Sequence, residues 1–339
     1  MNPFARPPLG QLLRESGADP DALTAAGQAL ERAHDEALPW YIRAATGFGA
    51  WVAACMALSF LGLIGIFGAS GLNAVLSIGM AFAGVRLAGQ RMEFLRQLGM
   101  ALGLCAQGLL LFSLARLEVG ASQIALAGMF AAALMFVFHP DPAHRFVCAA
   151  GVLAGLLSLA ALHDAPRAGE IVILVAVAAA AWAGRTRPFA WTGPGRYGLL
   201  VTSLFVLCLS LGGEWRARWL SDLSGFGFTA MLGVFVWAEL AGLGARLPAR
   251  GVAVVGLGLV AWLSRLAPGV PAALLVLGLA VRERDRLMLA LGVVFLGLFL
   301  AGYYYSLALP LWHKAALLMG GGALALGVRL FVTPREPSP

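Results

Sequence analysis

Charge is scarce in this chain, and lysine is almost missing. Charged residues make up 12% of the 339 positions and hydrophobic residues 60%, against about 25% and roughly 45–50% in ordinary soluble domains. That deficit excludes a water-solvated globular domain. Lys314 is the single lysine; every other basic residue is an arginine. Cysteine is also sparse. Cys55, Cys105, Cys148 and Cys208 lie inside apolar runs and form no CxxC pair, which speaks against a disulfide or zinc framework. Absent too are a phosphate-binding GxxxxGK[ST] loop, an HExxH zinc motif and any recognisable serine or cysteine nucleophile motif. The glycine pattern Gly225-Phe-Gly227-Phe-Thr-Ala230 imitates a dinucleotide fingerprint, but it opens an apolar run with no preceding strand. No cofactor, no metal and no catalytic residue is expected.

What the chain has in quantity is long apolar runs. A bilayer core about 30 Å thick needs roughly 20 apolar residues per helical crossing, and only helices or closed barrels satisfy their backbone in lipid. The runs are too long and too uniformly apolar for barrel strands. The fold expected is all-α: a polytopic transmembrane bundle of about twelve spans, at 44–66, 72–88, 97–115, 122–138, 146–162, 170–183, 197–213, 226–244, 250–264, 268–281, 287–304 and 311–331. The sixth and tenth are short. Residues 1–43 carry only a thin apolar stripe (Ala22, Leu23, Ala26, Leu30, Ala33) and read as a small helical segment lying on the membrane. With no apolar segment before it, the first span serves as its own insertion signal. Trp40, Tyr41 and Arg43 mark its interface.

The net charge of +7 would suggest nucleic acid in a soluble protein. Here the arginines occupy short loops, where they set orientation. With the N-terminus inside, 18 basic residues fall on the inner side and 6 on the outer, so both termini are expected in the cytoplasm. Lys314 falls on the outer side, where topology requires no positive charge. Glu214 to Gly225, with Trp215 and Trp219, reads as a short outer helix lying in the interface.

Traces of an internal duplication are present. Leu114-Ala-Arg116-Leu-Glu-Val-Gly120 echoes Leu263-Ser-Arg265-Leu-Ala-Pro-Gly269, and Ser158 to His163 echoes Ser306 to His313. Six spans per copy would give two parallel halves, an arrangement known in transporters. The expected organisation is a cytoplasmic segment at 1–43, a first membrane half at 44–183, a connecting loop at 184–196, a second half at 197–332 and a cytoplasmic tail at 333–339.

Ionisable residues at membrane depth are functional candidates by default. Glu239 lies just inside the inner end of the eighth span, within reach of a loop arginine such as Arg246. Asn73 and Gln107 read as interhelix hydrogen-bond glue, and Gly99/Gly103 and Gly151/Gly155 as close-packing pairs. His139-Pro-Asp141-Pro-Ala-His144 holds three conceivable ligands, although two prolines in so short a loop suit a tight turn better. At the outer side, Tyr304, Tyr305, His313 and Lys314 group around the last turn. An aromatic belt accounts for the tyrosines.

Tyr304-Tyr305-Ser306-Leu307, followed by Leu311, Lys314, Leu317, Leu318 and the glycines before Leu324, resembles the C-terminal signature of bacterial membrane proteins grouped as domain of unknown function 4401. Leu38-Pro-Trp-Tyr-Ile-Arg43 is similar to the stretch that precedes that family's first span. Family members often have an acid after the tyrosine pair and a serine after the lysine; Ser306 and Ala315 stand there instead. The resemblance covers roughly 38–331 and implies a bacterial inner-membrane protein, without an activity. Three functional expectations remain. One is a non-enzymatic multi-pass protein acting with partner membrane proteins in the lipid bilayer, with no nucleic acid. Another is a small-molecule permease. The third is an enzyme acting on lipid at the outer face through Tyr304, Tyr305, His313 and Lys314.

Overall fold

The computed structural model describes residues 40–184, 192–211, 222–242, 247–264 and 267–306, apart from 64, 66, 67 and 69, together with Trp312, Ala315, Met319 and Gly322. Eleven helices follow one another: α1 Trp40–Leu63, α2 Ser70–Ala88, α3 Glu93–Arg116, α4 Ala121–Phe138, α5 Pro142–Leu162, α6 Pro166–Ala183, α7 Thr192–Leu209, α8 Asp222–Gly242, α9 Leu247–Ser264, α10 Gly269–Glu283 and α11 Arg286–Ser306. Each of the first eleven expected spans has its helix. The twelfth span, the N-terminal segment before Trp40 and most of the expected interfacial helix, residues 212–221, lie outside the described residues. Nine of these helices are long and apolar enough to cross a membrane. Their outer surface is apolar as well: Phe48 (74% exposed), Ile78 (69%) and Val255 (74%) form faces that water would not tolerate and acyl chains require. The chain is a multi-pass helical membrane bundle.

Short connections make neighbours antiparallel, and the main contacts are α2 on α3, α4 on α5, α5 on α7 and α10 on α11. Glycine sets the closest of them. A Cβ on Gly99 would sit 2.4 Å from the Ala88 nitrogen and 2.7 Å from the Gly84 carbonyl oxygen, so α3 meets α2 backbone to backbone. Gly155 packs its bare face on Met129 of α4 in the same way.

The largest core joins α5 through α11, from Leu153 and Leu157 to Phe295 and Phe299. α10 is its axis. That helix has only 15 residues, about 22 Å, too short to cross lipid unaided. It need not do so, because it packs on α7, α8, α9 and α11 and buries Ala272, Ala273, Val276 and Ala280 completely. α1 and α2 both pack on α3, whereas α7, the first helix of the expected second half, packs on α5, α6, α10 and α11. α7 also begins more than a turn before its expected span, which draws Arg196 out of the expected 184–196 loop and into a helix. Gly193 and Pro194 sit in its first turn, where a missing N–H costs nothing.

Candidate functional site

Buried polar contacts are extensive at one end of the bundle, the end where α2, α4, α6, α8 and α10 finish and their successors begin. Two clusters dominate it.

The first joins α7 to the α10–α11 turn. Arg284 adopts the left-handed conformation, φ 54°, which a side chain enters only at a cost of about 1–2 kcal/mol. That residue lets the chain reverse at once: the Asp285 N–H reaches the Ala280 carbonyl at 2.9 Å and the Arg284 N–H that of Val281 at 3.2 Å. The tight reversal aims two carboxylates at α7. Glu283 takes both terminal nitrogens of Arg196, one of them at 2.9 Å, while Arg196 also lies 3.2 Å from the Met288 sulfur. Arg196 is 8% exposed, so this is a bidentate pair largely out of water. Asp285 accepts the Tyr197 hydroxyl and caps α11 through the N–H groups of Leu287 and Met288, at 3.0 and 3.1 Å. Burial alone would raise its pKa. The Tyr197 hydroxyl, the two backbone donors and nearby Arg196 outweigh that and hold the carboxyl below its ordinary range.

The second cluster lies between α3, α4 and α5. The Asp141 carboxylate accepts the N–H groups of Ala143 and His144, at 2.9 and 3.1 Å, with Pro142 at the first helical position. The segment is therefore the tight turn its prolines suggest, its acid taken up by capping α5. His139 and His144 stack with ring centroids 3.9 Å apart, both fully buried. The Asp141 N–H donates to His139 Nδ1 at 3.3 Å, which leaves Nε2 to carry the proton toward the Gly99 carbonyl at 3.5 Å. Gln107 lies 3.2 Å from His144 Nε2 and donates to the Cys148 sulfur at 3.4 Å, the interhelix role expected of it. Gly103 leaves the space that the His144 ring fills; a Cβ there would stand 2.7 Å from Cε1. Burial pushes the His139 imidazole below its ordinary value, outweighing the Gly99 carbonyl and Asp141, and Arg145 pushes the same way. A base whose folded pKa is depressed stabilises fully only above its ordinary range. The contribution of His139 therefore declines as pH falls below about 6.5, and two stacked cations would also repel. Among the described residues no group of three or more histidine, cysteine or acidic side chains could hold a metal ion.

The residues singled out from sequence do not converge. Glu239 pairs with Arg282, in the last turn of α10, at 2.8 Å; Arg246, the loop arginine named from sequence, lies outside the described residues. Tyr304 and Tyr305 close α11, edge to face at 5.5 Å, with Tyr305 83% exposed. α11 begins beside the Glu239 pair and rises about 27 Å over the 18 residues from Arg286 to Tyr304, so the tyrosines and Glu239 sit at opposite ends. His313 and Lys314 lie outside the described residues. Three groups escaped the sequence reading: Glu170, buried near the start of α6, which accepts the Ser224 N–H at 2.8 Å; the Arg196–Glu283 pair; and Tyr197 with Asp285. One signal was available for the last two. Arg282-Glu-Arg-Asp-Arg286 interleaves two acids with three arginines, and orientation alone calls only for the arginines.

No curated protein and no solved structure matches the chain. A family model described as Domain of unknown function (DUF4401) matches residues 39–335, nearly the whole length and both stretches that carry the resemblance. This multi-spanning helical chain belongs to that family.

Proposed function

We propose that this is a non-enzymatic multi-pass protein of the bacterial inner membrane, with both termini in the cytoplasm, that works by docking a partner membrane protein along α9. The orientation rests on the arginine asymmetry, 18 basic residues against 6. The absence of catalysis is inferred from the chemistry on view: the carboxylates of Glu239, Glu283 and Asp285 are each engaged by an arginine or a hydroxyl, which leaves them no vacant capacity for acid–base work.

A face of α9 carries the docking reading. Gly251, Val254, Val255, Gly258 and Trp262 fall on one side of the helix at intervals of three, four and seven residues. Val254, Val255 and Trp262 are exposed, and a Cβ added at Gly251 or Gly258 would meet nothing within 4 Å. Inside the bundle, glycines such as Gly99 let helices touch backbone to backbone; on α9 the same residue type is left open among the described residues. Bare glycines gain nothing from lipid and lower helix propensity by about 1 kcal/mol each, so their use on a free face favours a helix that approaches from outside. A permease reading finds less support: the groove of about 340 Å³ among α6, α8 and α10 is lined by apolar residues such as Ala178, Trp182, Val234 and Leu279.

A photo-crosslinking amino acid at Val255, introduced in living cells, should give one discrete protein adduct. The same probe at Phe130, an exposed position on α4, whose glycine is packed against Leu111, should give only lipid adducts. Lipid adducts alone at both positions would remove the docking reading.

A further inference from the structure

Two buried imidazoles lie face to face where α4 turns into α5, with ring centroids 3.9 Å apart. Each spends its basic nitrogen on a bond that holds the packing. His139 Nδ1 accepts the Asp141 N–H at 3.3 Å. An amide nitrogen only donates, so His144 Nε2, 3.2 Å from the Gln107 nitrogen, is the acceptor of that pair. The same Gln107 nitrogen donates to Cys148, fully buried one turn further along α5. Both rings rest on bare backbone of α3: the Gly99 carbonyl faces His139 Nε2, and Gly103 leaves the space that the His144 ring fills. α3 and α5 share only a small contact, so these polar bonds are much of what joins them.

A proton taken up by either ring has to go where a hydrogen bond already is. At His139 it displaces the Asp141 N–H and loosens the turn. At His144 it displaces Gln107, which also holds Cys148. The surroundings do not compensate. The Asp141 carboxylate bonds to the Ala143 and His144 N–H groups and to neither ring. Arg145, bonded to the His139 carbonyl, sets a cation beside the pair. The charged groups of the neighbouring helices are engaged elsewhere: Glu93 with Arg96 on α3, at 2.7 Å, and Arg196 and Tyr197 of α7 with Glu283 and Asp285. Arg86 of α2 lies over the Phe82 ring, and Arg91 is exposed in the α2–α3 turn. Burial, the largest influence on His139, outweighs the Gly99 carbonyl and Asp141 and holds its imidazole below the ordinary value.

We propose that the His139–His144 stack is an acid-released latch: proton uptake parts the start of α5 from the Gly99–Gly103 face of α3 and uncovers Cys148. Solvated rings regain their ordinary basicity, near pH 6.5. The open arrangement binds protons that the closed one refuses. It therefore gains on the closed one as pH falls below about 6.5, by at most about tenfold per pH unit for each proton taken up. Above that range the latch stays shut. Pro140, Pro142 and Ala143 are exposed, so the pair lies just beneath the surface. The device needs no partner protein and is separate from the α9 face. In the orientation proposed above, the acidity it senses is that of the cytoplasm.

Thiol labelling of the full chain in neutral detergent tests this. With the other three cysteines replaced by alanine, Cys148 is treated with a dipyridyl disulfide, which reacts in acid as well as at neutrality. Each rate is divided by that of a free thiol at the same pH. The relative rate should stay flat down to about pH 6.5 and then climb, by about tenfold or more in total at about pH 5. His139→Gln, which can still donate to the Gly99 carbonyl but takes no proton, should cut that gain to about threefold or less. The double variant with His144→Gln should show none. Cys208 of α7, kept as the sole cysteine instead, should show no gain either. If the glutamine variants do not purify, hydrogen exchange in wild type decides: amides at the start of α5 should lose protection on acidification while those of α7 keep it. A Cys148 rate that ignores pH, a gain that survives in the double variant, or α7 opening in step with α5 would each overturn the proposal.

Discussion

Glu283→Ala should destabilise the purified protein by roughly 3–5 kcal/mol, because it strands a buried guanidinium. Arg196 is almost wholly enclosed, and Glu283 takes two of its nitrogens. Alanine at 283 leaves that charge facing Met288 and the space beneath Gly184. The cost comes from the charge left behind and greatly exceeds the net worth of the pair. Hence a second expectation separates this account from simple loss of packing: Arg196→Met combined with Glu283→Met should recover most of the stability, since hydrophobes of similar volume replace a buried pair at little or no penalty. Thermal unfolding in detergent, read for the single and the double variant, measures both. A double variant as unstable as the single one would mean that Glu283 matters for its shape and not for its charge.

Gly99→Leu is the second large effect. The Cβ alone would lie 2.4 Å from the Ala88 nitrogen and 2.7 Å from the Gly84 oxygen. Both are backbone atoms of a packed helix, so no rotamer change relieves the clash; α2 and α3 must separate. The neighbouring cluster moves with them, because the Gly99 carbonyl is also the His139 acceptor. A loss of about 3 kcal/mol or more is expected, at the upper end of overpacking costs. Gly108→Leu on the same helix is the control. Nothing lies within 4 Å of a Cβ there, so the variant should be as stable as wild type or gain up to about 1 kcal/mol of helix propensity. Comparing the two thermal transitions isolates the close approach from the general effect of leucine in a helix.

The bundle was legible in the sequence because lipid imposes a length on each crossing. Apolar runs near twenty residues, broken by arginine-bearing loops, locate eleven helices without any knowledge of how they pack. Gly99 and Gly103 were legible for a similar reason: small residues at a spacing of four announce a close contact, though they do not name the partner. What stayed hidden was pairing across long separations. Arg196 looks like one more loop arginine, and its partner stands 87 residues away. Glu283 and Asp285 are masked by the arginines around them. Arg284, a non-glycine in the left-handed region, gives no sign in sequence that it is the residue that turns both acids toward α7. His139 and His144 were visible as a short-loop cluster, yet only the turn made by Asp141 and Pro142 stacks their rings. The tyrosines at the end of α11 were found by composition. Composition says nothing of depth, and so nothing of their distance from Glu239.

The whole account depends on α3 crossing from one side of a membrane to the other, with its Glu93 end in the cytoplasm. Gln90 and Glu118 flank that helix and are both exposed. In a chain whose four cysteines are replaced, single cysteines at these two positions can be treated with a membrane-impermeant maleimide. Glu118→Cys should label in intact cells with a permeabilised outer envelope, and Gln90→Cys only after the inner membrane is opened. Labelling of both positions from the same side, or the reverse order, would contradict it.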